Sequence, residues 1–261
     1  MLRLVKGLCA VVLAMIAGDA LHANVIGTPH AEFRQLYALG PNGHVLVQNL
    51  YGDVSITAWD RDEVLVEAIK RASDPRRLDD ARIVVEPSTG ALSIHTQYAG
   101  ADAEHPASVE YRIMVPRHAT LDQVKLVNGG LSISGVTGYI KATSINGSIT
   151  AEKLEGEADL STVNGHLTAG FIRVSSTKGI SLSSVNGPIK LSIPSGSHAN
   201  VSARNLSGGI ASDFGTVSRA EGGHELHAVV NRGGAPIQLH NVNGGISIHS
   251  TWNKRSPRPC S

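Results

Sequence analysis

The chain is short of charge, of aromatic rings and of cysteine, and each shortage excludes a class of protein. Charged residues make up 17% of the 261 positions, against roughly 25% in an ordinary soluble domain. Lys plus Arg number 23 and Asp plus Glu 22, a net charge of +1. That balance excludes a nucleic-acid or acidic-membrane binder working by bulk charge. Aromatics are 4% of the chain, too few to grip ligands chiefly by ring stacking. There are two cysteines, Cys9 and Cys260. No G-x-S-x-G elbow, G-x-G-x-x-G fingerprint or Walker sequence occurs, so acyl transfer and nucleotide chemistry lack their usual frames. Glycine, by contrast, is abundant at 28 residues, beside plentiful Ser, Thr, Val and Ile. This is the composition of a β-rich protein with many tight turns.

Residues 1–23, MLRLVKGLCAVVLAMIAGDALHA, carry Arg3 and Lys6 ahead of an apolar run from Leu8 to Ala17 and end in small residues. The pattern predicts a secretory signal peptide, its apolar part too short to span a bilayer. Cleavage is expected after Ala23, with Ala20 as the alternative. Cys9 lies too early to be a lipidated cysteine. Removal of 1–23 takes two basic residues and one acidic residue, leaving 21 of each sign. It also takes Cys9, so no intramolecular disulfide remains possible, and Cys260 is left as a free thiol or an intermolecular bridge. No later stretch reaches the roughly 18 apolar residues of a membrane helix.

From 127 the chain reads VNGGLSISG VTGYIKATS INGSITAEK LEGEADLST VNGHLTAGF, in blocks of nine. Glycines recur at Gly129, Gly138, Gly147, Gly156 and Gly165, and alternate blocks place Asn128, Asn146 and Asn164 before them, eighteen apart. The beat loosens but persists at Asn186-Gly187, Ser207-Gly208 and Asn243-Gly244; the step of 22 from Asn164 to Asn186 marks a four-residue insertion around Phe171 to Lys178. After each turn, apolar residues alternate with polar ones: Leu131/Ile133, Ile140/Ala142, Ile149/Ala151, Ala158/Leu160, Leu167/Ala169, Ile180/Leu182, Ile189/Leu191, Val201/Ala203, Ile237/Leu239 and Ile246/Ile248. Period two predicts short strands with one face buried.

Two arrangements fit. Asn-Gly favours a two-residue hairpin and hence an antiparallel meander. In a β-solenoid with two blocks per coil, every Asn falls at one corner, and coils stack about 4.8 Å apart. The solenoid explains more. Its expected corner ladder is Asn128-Gly129, Asn146-Gly147, Asn164-Gly165, Asn186-Gly187 and Asn243-Gly244, with the amides satisfying corner backbone groups as in cross-β stacks and each Gly supplying a positive φ.

The region before the repeats is also strand-rich, at 44–60, 63–70, 83–86, 92–96 and 109–115, but without the nine-residue beat. Asp74-Pro75 predicts a helical turn over 76–81, and 98–106 a polar loop. WNKRSPRPCS, at 252–261, reads as a basic tail. The stretch GDVSITAWDRDEVLVEAIKRAS (52–73), VEYRIMVP (109–116) and the VNGG, SINGS, TVNGH series together resemble the DUF4097 family of secreted or membrane-attached bacterial β-repeat proteins named as adhesins. The resemblance covers roughly 40–250 and implies a repetitive β architecture in an envelope setting. It implies no catalytic residues.

Candidate chemistry is sparse. Ser175-Ser176-Thr177-Lys178 matches S-x-x-K only formally, because that motif needs a helix. Glycoside chemistry would need two carboxylates about 5–10 Å apart; among Asp122, Glu152, Glu155, Glu157, Asp159, Asp213, Glu221 and Glu225, the pair Glu155 and Glu157 is expected to share a face of one strand. His224-Glu225-Leu226-His227 has zinc-like spacing only on a helix or turn, and its Gly-Gly lead and alternation predict a strand. The repeats lack the calcium-binding G-G-x-G-x-D pattern.

The expectation is an all-β protein: a signal peptide at 1–23, a β-strand region at 24–116 that caps the repeats, a β-solenoid of roughly seven coils at 117–251, and a basic tail at 252–261. No enzyme activity, metal or cofactor is expected. The expected work is adhesin-like or scaffolding contact between a polar sheet surface and an envelope protein or polysaccharide, with no nucleic acid and no membrane span. The expected location is the periplasm or the cell surface. The alternatives are a periplasmic accessory protein in envelope-stress signalling and, last, a polysaccharide-active β-helix enzyme.

Overall fold

The structure, a computed structural model, describes residues 28–99, 107–175, 177–220 and 223–251. The leader, Cys260 with the basic tail, most of the 98–106 loop and Ser176 of the S-x-x-K match lie outside the described residues.

Strands dominate because apolar and polar residues alternate almost everywhere. In chain order they are β1 (His30–Ala38), β2 (His44–Tyr51), β3 (Val54–Trp59) and β4 (Glu63–Arg71), then, after a 3-10 turn at Pro75–Asp80, β5 (Ala81–Ser88), β6 (Ala91–Tyr98) and β7 (Ser108–Pro116). The repeats supply β8 (Thr120–Asn128) with β9 (Leu131–Ser134), β10 (Ile140–Asn146) with β11 (Ile149–Leu154), β12 (Ala158–Asn164) with β13 (Leu167–Phe171), and β14 (Ile180–Asn186) with β15 (Ile189–Pro194). Last come β16 (Ala199–Ser207), β17 (Ile210–Ser212), β18 (Val217–Ala220), β19 (Gly223–Val230), β20 (Ala235–Asn243) and β21 (Ile246–Thr251). The 3-10 turn starts as the sequence predicts: Asp74 accepts a hydrogen bond from the Arg76 amide and Pro75 takes the first position.

The strands form two facing sheets. Sheet I has ten strands in the order β1-β4-β7-β3-β9-β11-β13-β15-β21-β17, and sheet II has eleven, β18-β19-β16-β20-β14-β12-β10-β8-β2-β6-β5. Each Asn-Gly corner passes the chain from sheet II to sheet I, and equivalent strands pair in parallel: β10 with β8 and β12, β11 with β9 and β13. The Asn-Gly pairs therefore turn solenoid corners, and the antiparallel meander is excluded. All twenty alternating apolar residues named above are buried. Alanines at Ala142, Ala151, Ala158 and Ala169 are among them and keep the core between the sheets thin.

Seven rungs of the form strand, corner, strand are stacked in the order β2/β3, β8/β9, β10/β11, β12/β13, β14/β15, β20/β21, β16/β17. This differs from chain order at both ends. In the described part of 24–116, β2/β3 is the first rung, β6 and β7 flank it in parallel on opposite sheets, β4 and β1 extend sheet I, and β5 extends sheet II. At the other end the chain builds the outermost rung β16/β17, adds the antiparallel strands β18 and β19, and returns to insert β20/β21 beneath them. Among the described residues, no helix is long and apolar enough to cross a membrane.

Candidate interaction surface

Four consecutive residues build each corner, and each has its own task. They read Ser144-Ile145-Asn146-Gly147, Thr162-Val163-Asn164-Gly165, Ser184-Val185-Asn186-Gly187, Asn241-Val242-Asn243-Gly244 and Asn205-Leu206-Ser207-Gly208. Asn49-Leu50-Tyr51-Gly52 and Leu126-Val127-Asn128-Gly129 are the variants on the first two rungs.

The third position forms the ladder. Asn146 donates its amide N–H to Asn128 Oδ1 at 3.0 Å, Asn164 to Asn146 at 2.8 Å, Asn186 to Asn164 at 3.0 Å and Asn243 to Asn186 at 3.0 Å. Tyr51 stands in register beside Asn128 at one end and Ser207 beside Asn243 at the other. The amides bond to one another. At the corners of Ser144, Thr162, Ser184 and Asn205 the carbonyls are met instead by the first position, which points inward and is buried. Thr162 Oγ1 donates to Gly147 O at 3.0 Å, Ser184 Oγ to Gly187 O at 3.2 Å, and Asn205 Nδ2 to Gly244 O at 2.7 Å and Gly209 O at 3.1 Å. Burying these carbonyls without a partner would cost free energy at each of those rungs. The sequence pattern did not single these residues out, although a polar residue stands two before Asn146, Asn164, Asn186 and Asn243.

The fourth position is glycine for two reasons: the expected positive φ, found at Gly165, Gly187 and Gly244, and the closeness of the neighbouring rung. Gly129 and Gly147 do not have a left-handed φ. A Cβ on Gly147 would lie 1.9 Å from Gly129 O, and one on Gly165, Gly187 or Gly244 would lie 2.0–2.6 Å from the carbonyl of the glycine one rung away. Close approach of rung to rung demands glycine even at Gly129 and Gly147, where φ does not.

The second position faces solvent and is aliphatic. Leu50, Ile145, Val163, Val185, Val242 and Leu206 are between 36% and 58% exposed. Register aligns them along sheet II into one apolar ridge. The Asn ladder borders it on one side. On the other lies the outward row Thr143, Ser161, Ser183, His240 and Arg204. Sheet I carries its own polar row, Ser55, Ser132, Thr150, Thr168, Lys190 and Ser247. Where Gly170 replaces a side chain on this face, a notch of about 420 Å³ opens, lined by Glu152, Lys153, Thr168, Lys190 and, from the insertion, Ile172.

The first rung is pinned by a buried polar network. Asn49 Nδ2 donates to Val109 O at 2.8 Å and Gly52 O at 2.9 Å, Thr96 Oγ1 donates to Asn49 Oδ1 at 3.0 Å, and the Thr96 and Tyr111 hydroxyls lie 2.7 Å apart. Burial pushes the Tyr111 phenol up to about 12. At the exposed second corner of the β3 rung, the hydrogen bond from Arg117 holds the Asp60 carboxyl below its usual range.

The acid pair Glu155 and Glu157 does not share a strand face: both lie in the corner between β11 and β12. Glu155 is ion-paired with Arg173 of the next rung. His224 and His227 lie on β19, whose alternation sends them to opposite faces. Glu225 between them is hydrogen-bonded by Arg204 at 2.7 Å. Among the described residues, no three His, Cys, Asp or Glu side chains are grouped to hold a metal ion.

Two stacked sheets joined by laddered corners define a β-solenoid with repeated outward rows. The chain belongs to the Toastrack DUF4097 family, whose model matches residues 44–249. No curated protein matches the sequence. Among solved structures, a candidate cell adhesion protein from Clostridium sporogenes is 11% identical, covers 85% of this chain and 100% of its own, and superposes with a TM-score of 0.50. A candidate adhesin from Bacteroides fragilis is 11% identical over 85% of this chain and 97% of its own, with a TM-score of 0.39. A candidate lipid-binding protein from Parabacteroides distasonis is 9% identical over 84% and 95%, with a TM-score of 0.32.

Proposed function

We propose that the protein is an exported, non-enzymatic component of the cell envelope that works as an adhesin-like or scaffolding surface. It makes weak, multivalent contacts with an envelope protein or polysaccharide through its outward rows. The observation that carries this reading is the repetition of one contact set on successive rungs: an aliphatic side chain, an amide and a hydroxyl, each in register with the next. Individually weak contacts on a rigid array add through effective concentration. The signal-peptide pattern of residues 1–23 supports export, and the naming of the Clostridium sporogenes protein of the same fold agrees with adhesion.

Protease added to intact producing cells tests the reading. Digestion of the mature chain supports an adhesin at the surface. Protection until the outer barrier is opened supports a periplasmic scaffold. A second reading, an accessory protein in envelope-stress signalling with one binding patch, is favoured by the notch beside Gly170, where the outward row of sheet I is interrupted. Lys190→Glu abolishes partner binding under that reading and weakens it only modestly under the first.

A further inference from the structure

Each sheet of the stack ends in two free edges, and the four edges are not alike. On sheet II, β5 carries Pro87 with Arg82 and Glu86, and β18 has four residues; on sheet I, β17 has three. Proline, charge and shortness are the ordinary devices that stop an edge from recruiting another strand. The remaining edge, β1, has nine residues, pairs with β4 along its whole length without a bulge, and has no strand on its other side among the described residues. Its inward side chains Phe33 and Tyr37 pack on the core cluster, which ties the strand to the sheet. Its outward side chains Glu32, Arg34 and Leu36 are exposed, Leu36 by 50%.

We propose that β1 is the interface for a second copy of this chain, which adds its own β1 in antiparallel register to continue sheet I across a two-fold axis. Charge complementarity selects the occupant. In an antiparallel pair centred on Phe33, Glu32 of each copy stands directly opposite Arg34 of the other, so opposite charges meet twice. Centring the pair on Glu32 or on Arg34 instead sets like charges face to face, which is destabilising. Arg34 is already drawn along the face by Glu67 of β4, 3.0 Å away. Across the seam the order is then Glu67, Arg34, Glu32, with alternating sign. Charges that discourage an arbitrary strand thus admit a copy of this one. The contact is isologous, as a closed dimer requires. Backbone hydrogen bonds supply the attraction and the charges fix the register. One strand pair buries less than a standard interface, so the dimer is weak and concentration-dependent.

Sedimentation velocity on the purified protein across the micromolar range is expected to show a monomer–dimer equilibrium. Glu32→Arg and Arg34→Glu each oppose like charges twice and are expected to raise the dimer dissociation constant about tenfold. An equimolar mixture of the two variants restores the dimer, because the mixed pair again meets with opposite charges. Misfolding cannot mimic that rescue. A protein that stays monomeric throughout overturns the proposal, as does a dimer indifferent to both reversals or a mixture no more dimeric than either variant alone.

Discussion

At Gly147 an added methyl would lie 1.9 Å from the Gly129 carbonyl oxygen, whereas nothing lies within 4 Å of one at Gly196. Gly147→Ala must push two rungs apart and is expected to cost about 1–3 kcal/mol, the range of overpacking. Gly196→Ala is expected to be neutral or slightly stabilising, and thermal melts of the two variants compare them directly. The ladder allows a similar contrast. Asn164 makes two amide bonds and Asn128 one, at about 0.5–1.5 kcal/mol per bond. Asn164→Ala should therefore lower the melting temperature more than Asn128→Ala does. Tyr111 sets an alkaline limit. Its phenol is raised to about 12 by burial, whereas an unfolded tyrosine ionises near pH 10. The neutral form thus stabilises the fold fully below about pH 10, and this contribution is lost as pH rises through about 12. Melts from pH 8 to 12 should show that loss, and Tyr111→Phe should flatten it while lowering stability at neutral pH by opening the bond to Thr96.

The rung is the element that insertion and deletion must respect. Deleting 146–163 joins Ile145 to Asn164 and removes one whole rung with every corner residue still in phase. It should leave a cooperative melt. Deleting 146–154 puts the sheet II strand β12 where a sheet I strand belongs and should abolish the melt. If circular dichroism finds the two deletions alike, phase is not what the stack obeys. The rung was readable in the sequence because Asn128, Asn146 and Asn164 recur with the period of the coil itself. The inward polar residues Ser144, Thr162 and Ser184 were not singled out, because their hydroxyls act on carbonyls of the turn and leave no apolar gap in the alternation. Glu155 and Glu157 were misplaced because alternation alone does not say where a strand stops. Here β11 ends at Leu154 and the chain turns. The outward aliphatic row was written in plain sight, but period-two reasoning assigns apolar residues to the inside.

For the whole molecule, chain order and stacking order differ where repetition weakens. No local signal announces that β20 lies between β14 and β16, because any parallel pairing there aligns apolar with apolar: Ile180 meets Ile237, which meets Val201. β16 joins the stack through β20, and β17 through β21. A chain ending at Val230 leaves β16 only the open edge of β14 and β17 only that of β15, so it should protect the amides of 199–230 less than the full chain does while 108–171 stays equally protected, an outcome that hydrogen exchange reads residue by residue. The inserted rung also sets a clock. As the chain emerges amino end first, β14 offers its open edge to β16 before β20 exists, and the premature pairing would be nearly isosteric with the correct one. Long-range pairings of this kind form slowly. The final seventeen residues of the described chain, 235–251, must evict that squatter. Emergence of 235–251, rather than any earlier step, is then the moment at which the stack becomes resistant to proteases.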